Sequence, residues 1–391
     1  MPRLFVGNFD FEQELASASR RPTSMALRRM SAERAVCWIS LAEDGDWIWT
    51  PELIAEDFWE SLAAQGLPRV RGVVDAKTVT ASVSEVIAWG CLPWTRAFNR
   101  AMAHPTDSAV AQANSRAWSF ALEQHLGVAL PGAARIERTE EFAEAVRRSA
   151  NELGEPVAEH GWVIKAKFGM AARERLLGRG PTLTSAQQNW LSRRLDADGA
   201  VFFEPWLRRR AEIGVQWTLP PLGQGPPKLE GLTPLLCDSQ GGYRGSEFSL
   251  DTRIPREWQR AVEVCEQSAT RLQSLGYFGP LGIDAAIYED TTGNAIARPL
   301  QDINARFTMG RLSLGFRRLL RDGERGEWRH GRADELNSSD IDESAREINL
   351  TPSLIGDKPP THGSWLRIAP SGRECGDEGQ AKKWGVKNDG E

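Results

Sequence analysis

Cysteine is sparse in this sequence and follows no pattern. Cys37, Cys91, Cys237, Cys265 and Cys375 are scattered, odd in number and never spaced C-x-x-C. That distribution fits reduced thiols in a cytoplasm better than a disulfide framework or a zinc site. Long apolar runs are missing as well: none approaches the ~18 residues of a membrane span. The stretch from Met1 to Asp10 turns polar too early for a signal peptide, so we expect a cytoplasmic protein with no membrane partner. Positive charge is not in surplus. A net charge of −5 and a pI near 5.8 argue against nucleic acid as a partner. The five histidines are dispersed, without Ser/His/Asp or zinc spacing, so hydrolytic and zinc chemistry find no support.

Lysine is scarce too. Of 48 basic residues only eight are lysines, at 77, 165, 167, 228, 358, 382, 383 and 387. Two of them interrupt the strand-like run Trp162-Val163-Ile164-Lys165-Ala166-Lys167-Phe168-Gly169. Two lysines on one strand face suit anion binding at the strand's end. A charge-protected edge strand is the alternative.

What is present is ordinary globular material. The chain has 391 residues, 41% of them hydrophobic and 26% charged, enough for two or three domains. Residues 1–115 read as a mixed α/β unit, with short strands expected at 35–40 and 69–74 and a helix from Pro51 to Gln65 capped by Thr50. The apolar run 85–90 is too short to assign. No phosphate-binding glycine pattern follows these strands, so a nucleotide-binding Rossmann unit is not supported there. One helix is expected over 108–126, a second from about 139 to 153, then the lysine strand and an arginine-bearing loop over 169–180. Further helices are expected over 184–195 and 255–275. Strands are expected at 201–207 and 211–217, with Arg208-Arg209-Arg210 as a solvated turn between them. Residues 324–346 and 371–391 are charged and rich in Gly, Ser and Asp, so residues 323–391 are expected to be a largely irregular tail, with 365–368 as a lone docking strand.

Two segments near residue 300 carry the most chemistry. Gly282 to Tyr288 and Pro299 to Arg306 read as strands joined by the polar turn Glu289-Asp290-Thr291-Thr292-Gly293-Asn294. Alternate side chains of a strand share a face, so Asp302, Asn304 and Arg306 point one way, and Asp284 joins them if the strands pair. Two carboxylates, an amide and a guanidinium suit a hard divalent ion that holds phosphate oxygens. A hairpin with a merely wet polar face is the alternative.

The order of these pieces resembles the ATP-grasp superfamily, which includes D-alanine–D-alanine ligase, glutathione synthetase and biotin carboxylase. Asn114-Ser115-Arg116 and the helix after it look like the start of the ATP-grasp region, with Arg116 where the family usually has lysine. Trp162-Val163-Ile164-Lys165 looks like the phosphate-lysine strand, and Lys167 follows as a second cation for the nucleotide. Val201-Phe202-Phe203-Glu204-Pro205-Trp206-Leu207 looks like the hinge strand. The resemblance implies that Glu204 accepts from the adenine amino group, that the backbone of Trp206 and Leu207 reads the adenine edge, and that Glu212 binds ribose. It makes Asp284, Asp302 and Asn304 the magnesium ligands and Arg306 the arginine that, with Lys165, stabilises the transferred phosphoryl group. Asp302 departs from a more frequent glutamate, and Arg173, Arg175 and Arg179 replace a usually Gly- and Ser-rich loop.

The fold implied is α/β with α+β subdomains: a pre-ATP-grasp domain (1–115), subdomains over 116–200 and 201–322, and the tail. The activity implied is ligation of a small-molecule carboxylate to an amine through an acyl phosphate, with ATP and Mg²⁺ (or Mn²⁺) as cofactors. Homodimerisation is left open. The rival readings are a nucleotide-binding regulatory or scaffold protein and a phosphotransferase.

Overall fold

In a computed structural model of the chain, residues 1–17, 24–98, 102–169, 174–333 and 345–370 are described. The architecture is α/β. Four parallel strands, β1 (Arg3–Val6), β2 (Trp47–Trp49), β3 (Arg71–Val73) and β4 (Glu85–Ala88), form a first sheet in the order β3-β2-β1-β4. Helices α1 (Phe11–Leu15), α2 (Met25–Ala35), α3 (Glu56–Ala64) and α4 (Pro93–Arg96) accompany it.

Next come α5 (Asp107–Ala113) and α6 (Arg116–Leu126). A second sheet, antiparallel, is built from β5 (Ala134–Ile136), β6 (Gly161–Lys165), β7 (Arg175–Arg179) and β8 (Val201–Pro205), in the order β5-β8-β6-β7. It is packed by α7 (Glu141–Leu153) and α8 (Ser185–Asp198). In α7 the buried residues are Phe142, Ala145, Val146, Ser149 and Ala150, one stripe at helical spacing. Thr184 starts α8 with a reciprocal capping box to Gln187. Gly178 lets β7 pass close to the buried Trp162 ring; a Cβ there would sit 2.2 Å from it.

The third sheet has eight antiparallel strands: β9 (Arg208–Leu219), β10 (Lys228–Cys237), β11 (Tyr243–Ser249), β12 (Gly279–Glu289), β13 (Ala295–Asn304), β14 (Glu324–Arg332), β15 (Arg346–Asn349) and β16 (His362–Pro370). Their order is β13-β12-β9-β10-β11-β14-β16-β15. Helices α9 (Gln259–Ser274) and α10 (Met309–Gly315) pack on it, and its core is continuous with that of the first sheet.

Several local expectations fail for physical reasons. Residues 36–40 are a buried 3₁₀ turn, not a strand; a short apolar run does not distinguish the two by periodicity. The helix expected from Pro51 begins at Glu56, so Thr50 is not its cap. The single helix over 108–126 is broken at Asn114, and the Ser115 hydroxyl accepts from the Ala117 N–H to start α6. Arg208-Arg209-Arg210 is strand rather than turn, because Arg208 and Arg210 both pair with Glu289 across β9 and β12. The loop over 169–180 holds β7, and Arg173 lies outside the described residues. The irregular tail is overturned for 324–332, 346–349 and 362–370, which are strands of the large sheet. Residues 334–344 and 371–391 lie outside the described residues.

Candidate functional site

A cavity of about 500 Å³ opens between the small antiparallel sheet, the face of the large sheet and the N-terminal unit. Lys165, Glu204, Trp206, Leu207, Glu212, Asp284, Asp302, Asn304, Arg306 and Arg116 all line it. Lys167 does not: β6 ends at Lys165, and the Lys167 ammonium lies over the Phe168 ring at 5.5 Å.

Strand register explains the first cluster. Val163 faces Glu204 and Lys165 faces Phe202, which puts Lys165 and Glu204 side by side on one face. Lys165 Nζ lies 2.8 Å from Glu204 Oε2, and Arg298 Nη1 donates to the same oxygen at 2.9 Å. Burial pushes the Glu204 carboxyl up, but Arg298, Lys165 and Arg116 outweigh it and hold the group well below the ordinary range. Burial pulls the Lys165 ammonium below its ordinary value, against the attraction of Glu204. Behind them Glu123 of α6 stands 3.7 Å from Arg298 Nη2, and burial raises its carboxyl to about 8.

The second cluster is the hairpin. Asp284 pairs directly with Asp302 and Gly282 with Asn304, so the expected acids do meet. Between Asp284 and Ala286 the partner register jumps from Asp302 to Arg298, a bulge around Pro299 that the proline's missing N–H tolerates. It brings Arg298, Gln301 and Asp302 all to the cavity wall. Asn304 Nδ2 donates to Asp284 Oδ2 at 3.2 Å. Burial, with Asp302 and Glu212 nearby, raises Asp284 to about 7. Arg116 grips Asp302, with Nη1 3.2 Å from Oδ1 and Nη2 3.3 Å from Oδ2.

Arg306 lies past the end of β13, so strand alternation does not aim it. A tight turn returns it: its N–H donates to the Asn304 carbonyl at 2.8 Å, and Nη2 donates to Asn304 Oδ1 at 3.0 Å. Glu12 of α1 accepts from Arg306 Nε, and the guanidinium lies over the Trp89 ring at 5.2 Å. Glu212 accepts from Gln301 at 2.9 Å and pairs with Arg209, whose guanidinium stacks on Trp206 at 4.5 Å. Gly241 to Arg244, part of a segment (241–245) that the sequence offers as a substrate loop or an ordinary turn, reach the cavity. So do Thr308, Met309 and Gly310 of the segment 308–311, which reads as an acceptor-facing stretch or a helix start. Arg311 is instead paired with Glu230 at 2.9 Å.

Sequence reasoning missed Arg298, Glu123, Glu12 and Gln301. Arg298 carried a signal: a charge inside an apolar strand, next to a proline. Glu123 falls seven residues after Arg116 on the same helix, hence on the same face. Glu12 gave none, being brought in from a distant segment.

The donor set fits a hard divalent cation. Two carboxylates and an amide oxygen supply few ligands, as magnesium takes when phosphates and water complete its shell. Burial is the largest cause of the raised Asp284 carboxyl, and the neighbouring acids Asp302 and Glu212 add to it. Among the described residues, no group of three or more His, Cys, Asp or Glu is placed to hold a metal ion.

No protein-family profile matches the chain, and no curated protein matches it significantly. Solved structures do. N5-carboxyaminoimidazole ribonucleotide synthetase from Thermus thermophilus superposes with a TM-score of 0.53 at 13% identity, over 95% of this chain and 94% of that one. N5-carboxyaminoimidazole synthetase from Staphylococcus aureus, complexed with ADP, gives 0.51 at 8% identity, over 95% and 94%. Biotin carboxylase from Campylobacter jejuni, in a beta-gamma-ATP complex, gives 0.50 at 12% identity, over 94% and 87%. At such identities the likeness concerns architecture, and it agrees with the order of lysine strand, acid hinge and acidic hairpin: the chain has the ATP-grasp fold.

Proposed function

We propose that this protein is an ATP-dependent ligase that activates a carboxylate as an acyl phosphate and joins it to an amine. The observation that carries the reading is one shared cavity: cations from β6 and α6, a hinge acid from β8 and paired acids from β12 and β13 all open onto it. A triphosphate brings dense negative charge, and such a ring of groups is suited to receive it.

In this reading Glu204 Oε1 accepts from the adenine amino group, since both cations converge on Oε2. The backbone at Trp206 and Leu207 borders the base, and Glu212 binds ribose. Asp284, Asp302 and Asn304 would hold Mg²⁺, which when bound screens phosphate charge and fixes phosphate geometry. Lys165 and Arg306 oppose the charge that spreads over the transferring phosphoryl group. Arg306 is aimed for this by three fixed partners: Glu12, Asn304 and the Phe307 carbonyl at 2.8 Å. The carboxylate oxygen takes the γ-phosphoryl group as the phosphorus–oxygen bond to ADP breaks. The amine then attacks the acyl carbon and gives up a proton to solvent, the carbon–oxygen bond to phosphate breaks, and amide, ADP and phosphate leave.

The test is calorimetric binding of Mg·ATP, followed by ADP release with pooled carboxylic acids and amines. Release that requires both an acid and an amine supports the ligase, and Asp302→Asn should then lower turnover by at least about a hundredfold. ATP binding with no acid-dependent ADP release would leave a nucleotide-binding protein and defeat the proposal.

A further inference from the structure

Arg116 is the first residue of α6, and its position is tightly built. Its N–H donates to the Lys167 carbonyl at 3.0 Å, tying the helix start to the end of the lysine strand. Just before it, Asn114 reads the backbone of Ala305 twice: Oδ1 accepts from the Ala305 N–H at 3.0 Å, and Nδ2 donates to the Ala305 carbonyl at 3.3 Å. The helix start is therefore stitched to the chain one residue past Asn304 and three past Asp302.

From that anchor the guanidinium meets Asp302 end-on, Nη1 to Oδ1 at 3.2 Å and Nη2 to Oδ2 at 3.3 Å. Arg116 Nε is buried without a hydrogen-bond partner. The bidentate geometry is what an arginine makes with a carboxylate and a lysine does not. Both Asp302 carboxylate oxygens are thus engaged, and Oδ1 also accepts from the Ile303 N–H at 3.2 Å. A divalent cation held by Asp284, Asp302 and Asn304 needs at least one of the oxygens that Arg116 now takes, and it repels the guanidinium besides.

A polyphosphate reverses the preference. Phosphate oxygens offer the same planar, bidentate match to arginine and carry more charge than one carboxylate. We propose that Arg116 stands in for the metal on Asp302 until a nucleotide draws its guanidinium away, so that metal and nucleotide reinforce each other's binding. The inference rests on the reading of Asp302 as a metal ligand and of the cavity as a nucleotide site. The coupling is reciprocal by necessity: whatever factor the nucleotide adds to metal affinity, the metal adds to nucleotide affinity.

One substitution separates this from a structural role, because its two effects have opposite signs. Mn²⁺ is the probe, counted by the paramagnetic signal of the unbound ion, in nucleotide-free full-length protein. Arg116→Gln should bind Mn²⁺ about tenfold tighter than the parent, while its affinity for ATP falls about tenfold. Arg116→Lys, which keeps the charge but not the fork, should lie between and guards against a misfolded glutamine variant. Asp302→Asn should abolish the gain. Unchanged or weaker Mn²⁺ binding in Arg116→Gln, with ATP still bound by the parent, overturns the coupling alone. Mn²⁺ binding that Asp302→Asn leaves untouched overturns it as well. A parent protein that binds no nucleotide at all removes the proposed function together with the coupling.

Discussion

Glu123 offers a stability test of the buried charge network that needs no substrate. It is 5% exposed and competes with Glu204 for one guanidinium, that of Arg298. Geometry favours Glu204, at 2.9 Å against 3.7 Å. Burial then raises the Glu123 carboxyl from an ordinary 4.5 to about 8. A carboxyl raised by folding keeps its proton where the unfolded chain has released it, so stability falls as pH rises through that window. The slope from this group is roughly 1.4 kcal/mol per pH unit in mid-window. For a chain of this length that is about 2 °C of melting temperature per pH unit. Glutamine keeps the shape and never ionises. The melting temperature of Glu123→Gln relative to the parent should therefore climb steadily from pH 5 to pH 8. Taking the difference removes other groups that titrate in both proteins, such as Asp284, raised to about 7 by burial and by Asp302. Melting curves followed by circular dichroism at half-unit steps suffice. A constant offset across the range would mean that Glu123 is ionised throughout and paired with Arg298, and the ranking of the two acids would be wrong.

Two further perturbations test the packing that holds the site. Gly178→Val should destabilise the small sheet by at least ~2 kcal/mol, since its Cβ meets the Trp162 ring at 2.2 Å in a core without slack. Urea unfolding followed by tryptophan fluorescence reads this, and a wild-type midpoint would contradict the close approach. Asn114→Ala removes both bonds to Ala305 and should lose about 1–3 kcal/mol of stability together with several-fold in ATP affinity. A stability loss with intact ATP affinity would show that the helix start does not depend on this stitch to hold Arg116.

The parts legible in the sequence were those with a local cause. Period-two alternation and a polar turn were enough to pair Asp284 with Asp302, and a strand ending in glycine after scarce lysines marked Lys165. The bulge at Pro299 was not foreseen, although a proline inside a strand is a signal for one, and with it Arg298 was missed. The break at Asn114 was also missed, although Asn and Ser favour helix ends over helix interiors. What ends the helix is Asn114 bonding to Ala305, almost two hundred residues away. Glu12 and its contact with Arg306 are purely tertiary, and no window of sequence contains them.

The strands after residue 322 show why composition misleads there. In β14 the buried positions are Gly326, Trp328 and Gly331, and in β16 they are Ser364, Leu366 and Ile368, flanked mostly by half-buried polar or small residues such as Glu327, Arg329, Gly363 and Arg367. A half-buried strand spends every second residue on solvent, so its average polarity resembles that of a disordered segment. These strands are nonetheless structural to the cavity. Without β14, β11 would present an unpaired edge, and Trp328 would leave its edge-on contact with Phe316 at 5.1 Å. His330, Gly331, Gly363 and Ser364 also line the cavity. A boundary drawn at residue 322 therefore cuts through one sheet and one cavity. The acidic hairpin at one edge of that sheet and the lining residues of β14 and β16 toward the other are joined by the hydrogen-bonded ladder between them.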